Sequence, residues 1–204
     1  MISDLSGKLT DILSANGIIR NEDREIYRYG LELLISTLIN IILVMTAGMV
    51  FHVLPQTILF LSEYCMIKWY AGGYHAATYA RCILTFSILY VSMLAVFTVF
   101  HIKETNPALA AVWLFSVAAV LVLAPVEDVN KPLEPEERRL YSKRSKQFLL
   151  LGVLINILLY LFIGNRGSLV LYALAAQIWA GSAVLAGYVK NKAGGRFDNG
   201  SNMR

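Results

Sequence analysis

The chain has 204 residues, of which 57% are hydrophobic and 16% charged, with a mean hydropathy of +0.57 and a formal net charge of +4. Soluble domains are typically about 45–50% apolar and about 25% charged, so this composition excludes an ordinary soluble fold, a disordered chain and a collagen-like repeat. Its two cysteines are too few for a disulfide framework. The sequence therefore predicts an integral membrane protein, in which Lys and Arg report topology rather than binding to nucleic acid.

Residues 1–30 are predicted to form a cytoplasmic or interfacial helical segment, and no charged-then-apolar signal peptide opens the chain. Apolar residues at helical spacing, opposite polar ones, predict an amphipathic helix that ends at Asn16-Gly17. The apolar residues of this helix are Ile2, Leu5, Leu9, Ile12 and Leu13. A second short helix is expected next, with Asn21 as its N-cap. The first helix either packs on the protein's own loops or lies in the membrane interface, and the sequence leaves both open.

Six apolar segments follow and form the predicted membrane domain, residues 31–189. They cover residues 33–54, 56–71, 82–100, 108–124, 148–163 and 168–189. At about 1.5 Å of rise per residue, a helix of about 20 residues matches a hydrocarbon core ~30 Å thick, and the shortest segments need their flanks to span it. The predicted fold class is therefore all-α, a polytopic membrane protein with six transmembrane helices.

The basic residues indicate the orientation of the six predicted spans. If both termini are cytoplasmic, all 18 Lys and Arg residues except Lys103 and Arg166 face inward. That bias is the positive-inside pattern of a multi-pass membrane protein. This orientation places the inner loop, residues 125–147, and the tail, residues 190–204, in the cytoplasm. The second half of the loop is predicted to be helical and the tail to be disordered.

One stretch, residues 68–82, departs from the lipid-facing pattern at the predicted inner edge between the second and third spans. Gly72 and Gly73 predict a turn or a close approach of the backbone to a neighbour. His75 follows them, and Cys82 comes seven residues later at the start of a span. An imidazole that removes the proton of a thiol is the minimum equipment for thiol catalysis, so the pair is a candidate active site.

The spacing of this pair predicts a break in the helix. On one straight helix, two residues seven apart are separated by ~10 Å along the axis, which is too far for a direct hydrogen bond. We therefore expect a non-helical or kinked link between Tyr74 and Cys82. The positive end of the helix dipole would favour the thiolate, and Lys68, Arg81 and a protonated His75 would act in the same direction. Free N–H groups of the first turn could also hold an oxyanion.

Other interpretations of these residues remain open on the sequence alone. Cys82 can be a small packed hydrophobe, and His75 can be an ordinary residue of the membrane interface. Glu63 is an intramembrane carboxylate, which is a functional candidate by default. It can orient His75, pair with Lys68 on the same helix, or pair with another span.

No metal or cofactor is expected from the sequence. His52 and His101 fall at the outer ends of their predicted spans, across ~30 Å of bilayer from the candidate active site. Cys65 lies a full segment away and is expected to serve packing.

The run of residues 71–76, Ala-Gly-Gly-Tyr-His-Ala, followed by Cys82, resembles the signature of the accessory gene regulator B (AgrB) family. Residues 124–133 are similar to that family's inner loop, which contains proline and lysine. Overall length, the pattern of spans and a polar N-terminal segment also agree, so the resemblance extends over essentially the whole chain.

The resemblance implies a bacterial membrane cysteine endopeptidase that processes the precursor of a cyclic autoinducing peptide. It implies Cys82 as the nucleophile, His75 as its general base and Gly73 as part of the same motif. Lys68 stands where the family commonly has Arg. Lysine keeps the positive charge but lacks the guanidinium group that can bind a carboxylate through two hydrogen bonds. The implied reaction releases the precursor's C-terminal tail, holds the remainder as a thioester and closes it to a thiolactone or lactone.

The resemblance also implies the partners. Substrates of the family have an amphipathic N-terminal leader, which membrane lipid would concentrate, and an acidic C-terminal tail, which the basic inner face would attract. The family further suggests a homodimer, and no nucleic acid is expected. Without the motif, two non-enzymatic functions stay open: a small multi-span transporter, or a membrane adaptor whose basic face binds anionic lipid or an acidic partner.

Overall fold

The computed structural model describes residues 2–74, 76, 78–127, 133–163 and 168–193, and within these ranges its regular structure is helical. The helices are α1 (Ile2–Ala15), α2 (Arg24–Val50), α3 (Leu54–Ala71), α4 (Tyr79–Val99), α5 (Pro107–Leu123), α6 (Pro135–Ile163) and α7 (Leu169–Ala193). The predicted all-α class is confirmed. The chain divides into two compact units, unit 1 with Met1–His52 and Ala76–Val99, and unit 2 with Val53–His75 and Phe100–Arg204.

In unit 1, α1 is followed by a turn and then by one long helix. Gly17 adopts a φ of +67° just after α1, which confirms the predicted end of this helix. The expected second short helix with Asn21 as its N-cap is wrong. Residues Asn21–Asp23 form a single 3-10 turn that leads directly into α2. No proline follows within α2, and the Arg28–Glu32 ion pair, four residues apart, supports continuation of the helix through Gly30.

The connection from α2 to α3 falls slightly earlier than the apolar pattern predicts. Helix α2 ends at Val50 rather than at residue 54, and His52 has a left-handed φ of 57°. Pro55 lies in the first turn of α3, where the N–H that proline lacks would have no helical partner. The turn therefore uses residues that the sequence analysis assigned to the first span.

Among the residues that the structure describes, four helices are long and apolar enough to cross a membrane: α2 together with its leading turn, α4, α6 and α7. Helix α5, with 17 residues, is shorter, and α3 carries Glu63 and Lys68 among its 18 residues. The predicted count of six spans is therefore not confirmed. The set of apolar helices fits a membrane protein.

Helix α6 joins two elements that the sequence analysis kept apart. The helix expected in the second half of the inner loop and the span 148–163 form one continuous helix of 29 residues. The junction packs tightly, because the Tyr70 ring of α3 stacks on Phe148 at 5.3 Å and Leu149 is fully buried. Nothing at the junction breaks the helix, so it continues into the apolar segment.

Helix α7 is the centre of unit 2. In its apolar window 56% of the residues are buried, against 17% for α4, so α7 is covered by neighbouring helices while α4 exposes most of its surface within the described part of the chain. Helix α7 also runs to Ala193, so residues 190–193 of the predicted disordered tail are helical. Residues 194–204 lie outside the described ranges.

Glu63 lies in a buried polar chain that crosses unit 2. Its Oε2 accepts a hydrogen bond from Nε2 of Gln177 on α7 at 3.1 Å, and Oε1 of Gln177 accepts from Nε1 of Trp113 on α5 at 2.7 Å. Gly152 of α6 makes room for this pair, since a Cβ there would lie 2.8 Å from Gln177 Nε2. A buried polar group needs such partners. Of the expected roles of Glu63, pairing with another helix is the one observed.

The contact between α5 and α7 yields a stability prediction. A Cβ at Gly181 would lie 2.5 Å from the Ser116 carbonyl oxygen and 2.7 Å from its Cα. We expect Gly181→Ala to lower the free energy of unfolding by about 1–3 kcal/mol, because backbone atoms must shift. Denaturant unfolding in detergent measures it.

Gly7→Ala is the matched control, because Gly7 is helical and no atom lies within 4 Å of the point that an alanine Cβ would occupy. The control should raise stability slightly, by about 0.5–1 kcal/mol. Equal stability of the two variants would contradict the close α5–α7 packing.

Candidate active site

The glycine pair after α3 forms a sharp turn that only glycine adopts readily. Helix α3 ends at Ala71, and Gly72 and Gly73 follow with φ angles of +67° and +104°. L-residues with a Cβ rarely occupy this region. The predicted turn is confirmed, and we call residues 72–74 the signature turn.

Backbone hydrogen bonds hold the signature turn on two sides. The Gly73 N–H donates to the Val126 carbonyl at 3.0 Å, and the Val126 N–H donates to the Ala71 carbonyl at 2.9 Å. On the other side, the Tyr74 N–H donates to the carbonyl of Ala183 on α7 at 2.7 Å. The turn is thus tied both to the start of the inner loop and to the central helix of unit 2.

The approach to α7 requires two positions without side chains. A Cβ at Gly73 would lie 2.5 Å from the Ala183 carbonyl oxygen. A Cβ at Gly187 would lie 2.5 Å from the Gly73 carbonyl carbon and 2.6 Å from the Tyr74 nitrogen. Gly187 was not singled out from the sequence, although small residues four apart on an apolar helix are a known sign of close packing.

Lys68 binds the carbonyl groups of the signature turn. Its Nζ donates to the Gly72 carbonyl at 2.7 Å and to the Tyr74 carbonyl at 3.2 Å. A cation near the end of a helix is favourable because the last carbonyls lack helical partners. The ammonium of Lys190 lies 5.1 Å from the centre of the Tyr74 ring, on the same turn. Lys68 therefore stabilises the turn that immediately precedes His75.

The start of the inner loop is held from two helices. Asn191 of α7 donates from Nδ2 to the Glu127 carbonyl at 2.8 Å. Arg138 of α6 forms an ion pair with the Glu127 carboxylate at 3.3 Å. Val126 can therefore present its N–H and carbonyl to the signature turn from a fixed position. Neither Asn191 nor Val126 was predicted as a site residue, since their role depends on contacts distant in sequence.

Cys82 lies in the capped first turn of α4, in unit 1. Helix α4 begins at Tyr79, and the Thr78 Oγ1 accepts from the Arg81 N–H at 3.3 Å, as an N-cap residue does. The Cys82 N–H donates to the Thr78 carbonyl at 3.0 Å. The N–H groups of Arg81 and Cys82 are therefore both used within the capped turn.

The expected break in the helix before Cys82 is confirmed. Residues 72–74, 76 and 78, which are the described residues between α3 and α4, are not helical. His75 lies outside the described residues, so its distance from Cys82 and its orientation by Glu63 stay predictions. Glu63 is nine residues before Gly72, which corresponds to ~13 Å along α3.

A carboxylate that the sequence analysis did not select lies near the first turn of α4. This is Glu32 of α2, which is close enough to the Tyr79 phenol to interact with it electrostatically. Glu32 also accepts from the Ser6 hydroxyl of α1 at 3.3 Å and pairs with Arg28 at 3.5 Å. Its side chain is only 15% exposed. Glu32 thus joins α1 to α2 close to the turn that contains Cys82.

No metal centre is found in the part of the chain that the structure describes, where no three His, Cys, Asp or Glu side chains are grouped so that they could hold an ion. The described groups of the signature turn are instead backbone amides, carbonyls and a lysine, and the first turn of α4 carries a thiol.

Comparison with known proteins shows the family that the chain resembles. The family model for accessory gene regulator B matches residues 6–184. A putative AgrB-like protein of Clostridium perfringens is 30% identical over 177 residues, covering 84% of this chain and 79% of the relative. Protein FsrB of Enterococcus faecalis is 26% identical over 156 residues, covering 74% of this chain and 61% of the relative. No solved structure matches the chain.

The signature turn yields a prediction about backbone protection. Gly187→Ala should push the turn away from α7 and weaken the hydrogen bond from Tyr74 to Ala183. Since a backbone hydrogen bond contributes about 0.5–1.5 kcal/mol, we expect the Tyr74 amide to exchange up to about tenfold faster. Hydrogen–deuterium exchange with mass spectrometry measures it.

Gly181→Ala is the control, because it crowds the same helix against α5 but does not touch the turn. Its exchange at residues 72–74 should equal that of the wild type. An unchanged exchange rate of the Tyr74 amide in Gly187→Ala, or the same increase in both variants, would contradict the hydrogen bond from Tyr74 to Ala183 as the contact that holds the signature turn.

Proposed function

The chain belongs to the accessory gene regulator B family, and we propose that it is a membrane-embedded cysteine endopeptidase that processes the precursor of a quorum-sensing peptide. In this proposal Cys82 is the nucleophile and His75 is the general base. The substrate is a peptide with an amphipathic leader and an acidic C-terminal tail. The enzyme removes the tail and leaves the remainder activated for cyclisation.

The observation that carries the proposal is the way the two candidate segments are held. Cys82 lies in the capped first turn of α4, where the helix dipole favours an anion. The residue before His75, Tyr74, is bound through its N–H to Ala183 and through its carbonyl to Lys68. Catalytic groups need fixed positions, because small displacements reduce the rate strongly. The turn before His75 and the first turn of α4 are each held in position by these contacts.

The first half of the reaction breaks a peptide bond. The His75 imidazole takes the thiol proton as the Cys82 sulfur attacks the scissile carbonyl carbon. N–H groups at the start of α4 would stabilise the oxyanion of the tetrahedral intermediate. Its collapse breaks the carbon–nitrogen bond, and His75 returns the proton to the leaving amine of the C-terminal tail. The N-terminal part of the precursor stays on Cys82 as a thioester.

The second half of the reaction closes the ring. A Cys thiol or Ser hydroxyl within the bound peptide attacks the thioester carbonyl while His75 removes its proton. The bond to the Cys82 sulfur breaks, and the proton on His75 passes to that sulfur. The product is a thiolactone or a lactone, and the enzyme is regenerated. No other reactant is needed, since the thioester conserves the acyl activation of the peptide bond.

The proposed topology places both termini, the candidate site and most basic side chains at the cytoplasmic face of a bacterial membrane. The first turns of α6 carry exposed cations that suit an acidic tail: Arg138, Arg139, Lys143 and Arg144. The proposed partners also include membrane lipid and a second copy of the chain.

Replacement of the two proposed catalytic residues tests the activity directly. Co-expressed with a candidate precursor of the stated chemistry, Cys82→Ala should abolish cleavage of the tail. His75→Ala should lower the cleavage rate by about 10²- to 10⁴-fold, the usual contribution of general acid–base catalysis. Mass spectrometry of the precursor follows the reaction.

Cys65→Ala is the matched control, because it removes the other cysteine of the chain. This variant should cleave as the wild type does when both accumulate equally in the membrane. Retained cleavage in Cys82→Ala would refute the proposed peptidase.

The proposed electrostatic attraction yields a kinetic prediction. The triple substitution Arg139→Gln, Lys143→Gln and Arg144→Gln should raise KM several-fold and leave kcat unchanged, since these exposed cations lie on α6 and only attract the tail. The difference should shrink as salt rises, because exposed charges are screened. The double substitution Arg139→Lys and Arg144→Lys is the control. It keeps the positive charge, so its KM should equal that of the wild type. A salt-independent loss of kcat would contradict this role.

A further inference from the structure

Two side chains in the interior of unit 2 carry polar atoms without a hydrogen-bond partner among the described residues. These atoms are Oε1 of Glu63 on α3, and Oδ1 and Nδ2 of Asn156 on α6. The two residues are only 5% and 4% exposed. Burial of a polar group without a partner costs free energy, and lipid around the helices offers no hydrogen bonds. The three atoms therefore require a partner that the described side chains do not supply.

The packing of Gly152 places Asn156 beside Glu63. A Cβ at Gly152 would lie 3.0 Å from Oε2 of Glu63 and 2.8 Å from Nε2 of Gln177, so this face of α6 packs directly on α3 and α7. Asn156 follows four residues later, and on a helix such residues share a face, with Cβ atoms about 5–6 Å apart. Side chains on a helix also lean toward its N-terminus, which for Asn156 is the direction of Gly152. The unpartnered atoms of Glu63 and Asn156 therefore lie in the same part of the interior.

The chemistry of these atoms selects the kind of partner. Glu63 and Asn156 do not bond to each other directly, since both polar atoms of the Asn156 side chain are unpartnered. The partner must donate to oxygen atoms and accept from an amide N–H, and water does both. A hard cation would need about six oxygen ligands, whereas these side chains offer two. Buried water in proteins typically bonds to polar groups that would otherwise be unsatisfied.

We propose that ordered water binds between Glu63 and Asn156 in the interior of unit 2. The water donates hydrogen bonds to Oε1 of Glu63 and to Oδ1 of Asn156, and it accepts one from Nδ2 of Asn156. The observed chain of hydrogen bonds from Trp113 through Gln177 to Glu63 then continues to α6. Each of α3, α5, α6 and α7 contributes one side chain to this network.

The water site bears on how α7 is held. Gln177 is fully buried on α7, six residues before Ala183, whose carbonyl binds the signature turn. A polar network whose members are all satisfied makes the packing of its helices more rigid, whereas one with missing partners weakens it. Water at Glu63 and Asn156 thus completes the network that fixes α7 against its neighbours. The inference concerns the interior of unit 2 and does not require Cys82 to be a nucleophile.

A double-mutant cycle tests whether Glu63 and Asn156 belong to one network. Asn156→Leu removes the amide at similar size, and Glu63→Met removes the carboxylate. Because Asn156→Leu leaves Glu63 with an unsatisfied oxygen, it should lower the equilibrium constant for folding of the full chain by about 5- to 30-fold. In the Glu63→Met background the same substitution should leave the constant unchanged or raise it. Denaturant unfolding in detergent measures all four proteins.

Magnetisation transfer from water identifies the ligand in the chain with both side chains intact. The full chain, labelled with ¹⁵N and reconstituted in vesicles of phosphatidylcholine and phosphatidylglycerol, is studied by proton-detected solid-state NMR. The Nδ2 signal of Asn156 is the one that disappears in Asn156→Leu. This amide should receive magnetisation from water several-fold faster than the backbone N–H of Ala180, which is fully buried on α7.

Three results would overturn the proposal. If Asn156→Leu raises the folding constant equally with and without Glu63, the two side chains are independent. If they are coupled but the Asn156 amide receives no magnetisation from water, they contact each other directly. If sodium chloride stabilises the wild type but not Glu63→Met, relative to choline chloride at equal ionic strength, a cation occupies the site. None of these measurements uses cleavage of a peptide, so they are independent of the test of peptidase activity.

Discussion

The backbone hydrogen bond from Tyr74 to the Ala183 carbonyl is the contact on which the candidate site depends most. At 2.7 Å it draws the signature turn directly onto a helix. Such an approach is possible only because Gly73 and Gly187 present no Cβ to each other's backbone. Once the turn lies there, Val126 can pair with it from the inner loop, and Lys68 can reach two of its carbonyl groups. Tyr74, the residue that precedes position 75, is therefore held in a fixed position.

Cys82, the proposed nucleophile, is held by different means in the other unit. Thr78 caps α4, and Glu32 lies beside Tyr79 in the same first turn. A cap of this kind contributes about 1 kcal/mol, and a largely covered carboxylate without partners would cost more than that. Glu32 meets that demand with Ser6 and Arg28. The polar contacts of Glu32 with α1 and with its own helix thus lie close to the turn that contains Cys82.

The sequence predicted those features that depend on local chemistry. The glycine pair required a turn, the spacing of His75 and Cys82 required a helix break, and the break at Gly17 was readable from Asn-Gly. The long apolar stretches predicted the helices, because burial and lipid exposure both demand apolar residues. The sequence analysis failed at Asn21 and at residues 147–148 within α6, where continuity of a helix depends on the packing of its neighbours rather than on local signals.

The rest of the site required contacts that no local pattern reveals. Helix α7 was expected as one span among six, yet the positions of Ala183 and Gly187 against the signature turn follow only from tertiary packing. Gln177 as partner of Glu63, and Asn191 as partner of Glu127, join residues 114 and 64 positions apart. A single sequence shows that a carboxylate in an apolar segment needs a partner. It does not show which helix supplies that partner.

Detection of the acyl-enzyme is the most direct measurement of the central claim. After reaction with the precursor, digestion with trypsin releases a peptide that begins at Cys82, since Arg81 precedes it and Lys103 is the next site of cleavage. Mass spectrometry should find this peptide carrying the N-terminal part of the precursor, and hydroxylamine should remove the adduct as it removes a thioester. Cleavage of the precursor with no adduct on Cys82, and at an equal rate in Cys82→Ala, would contradict the account.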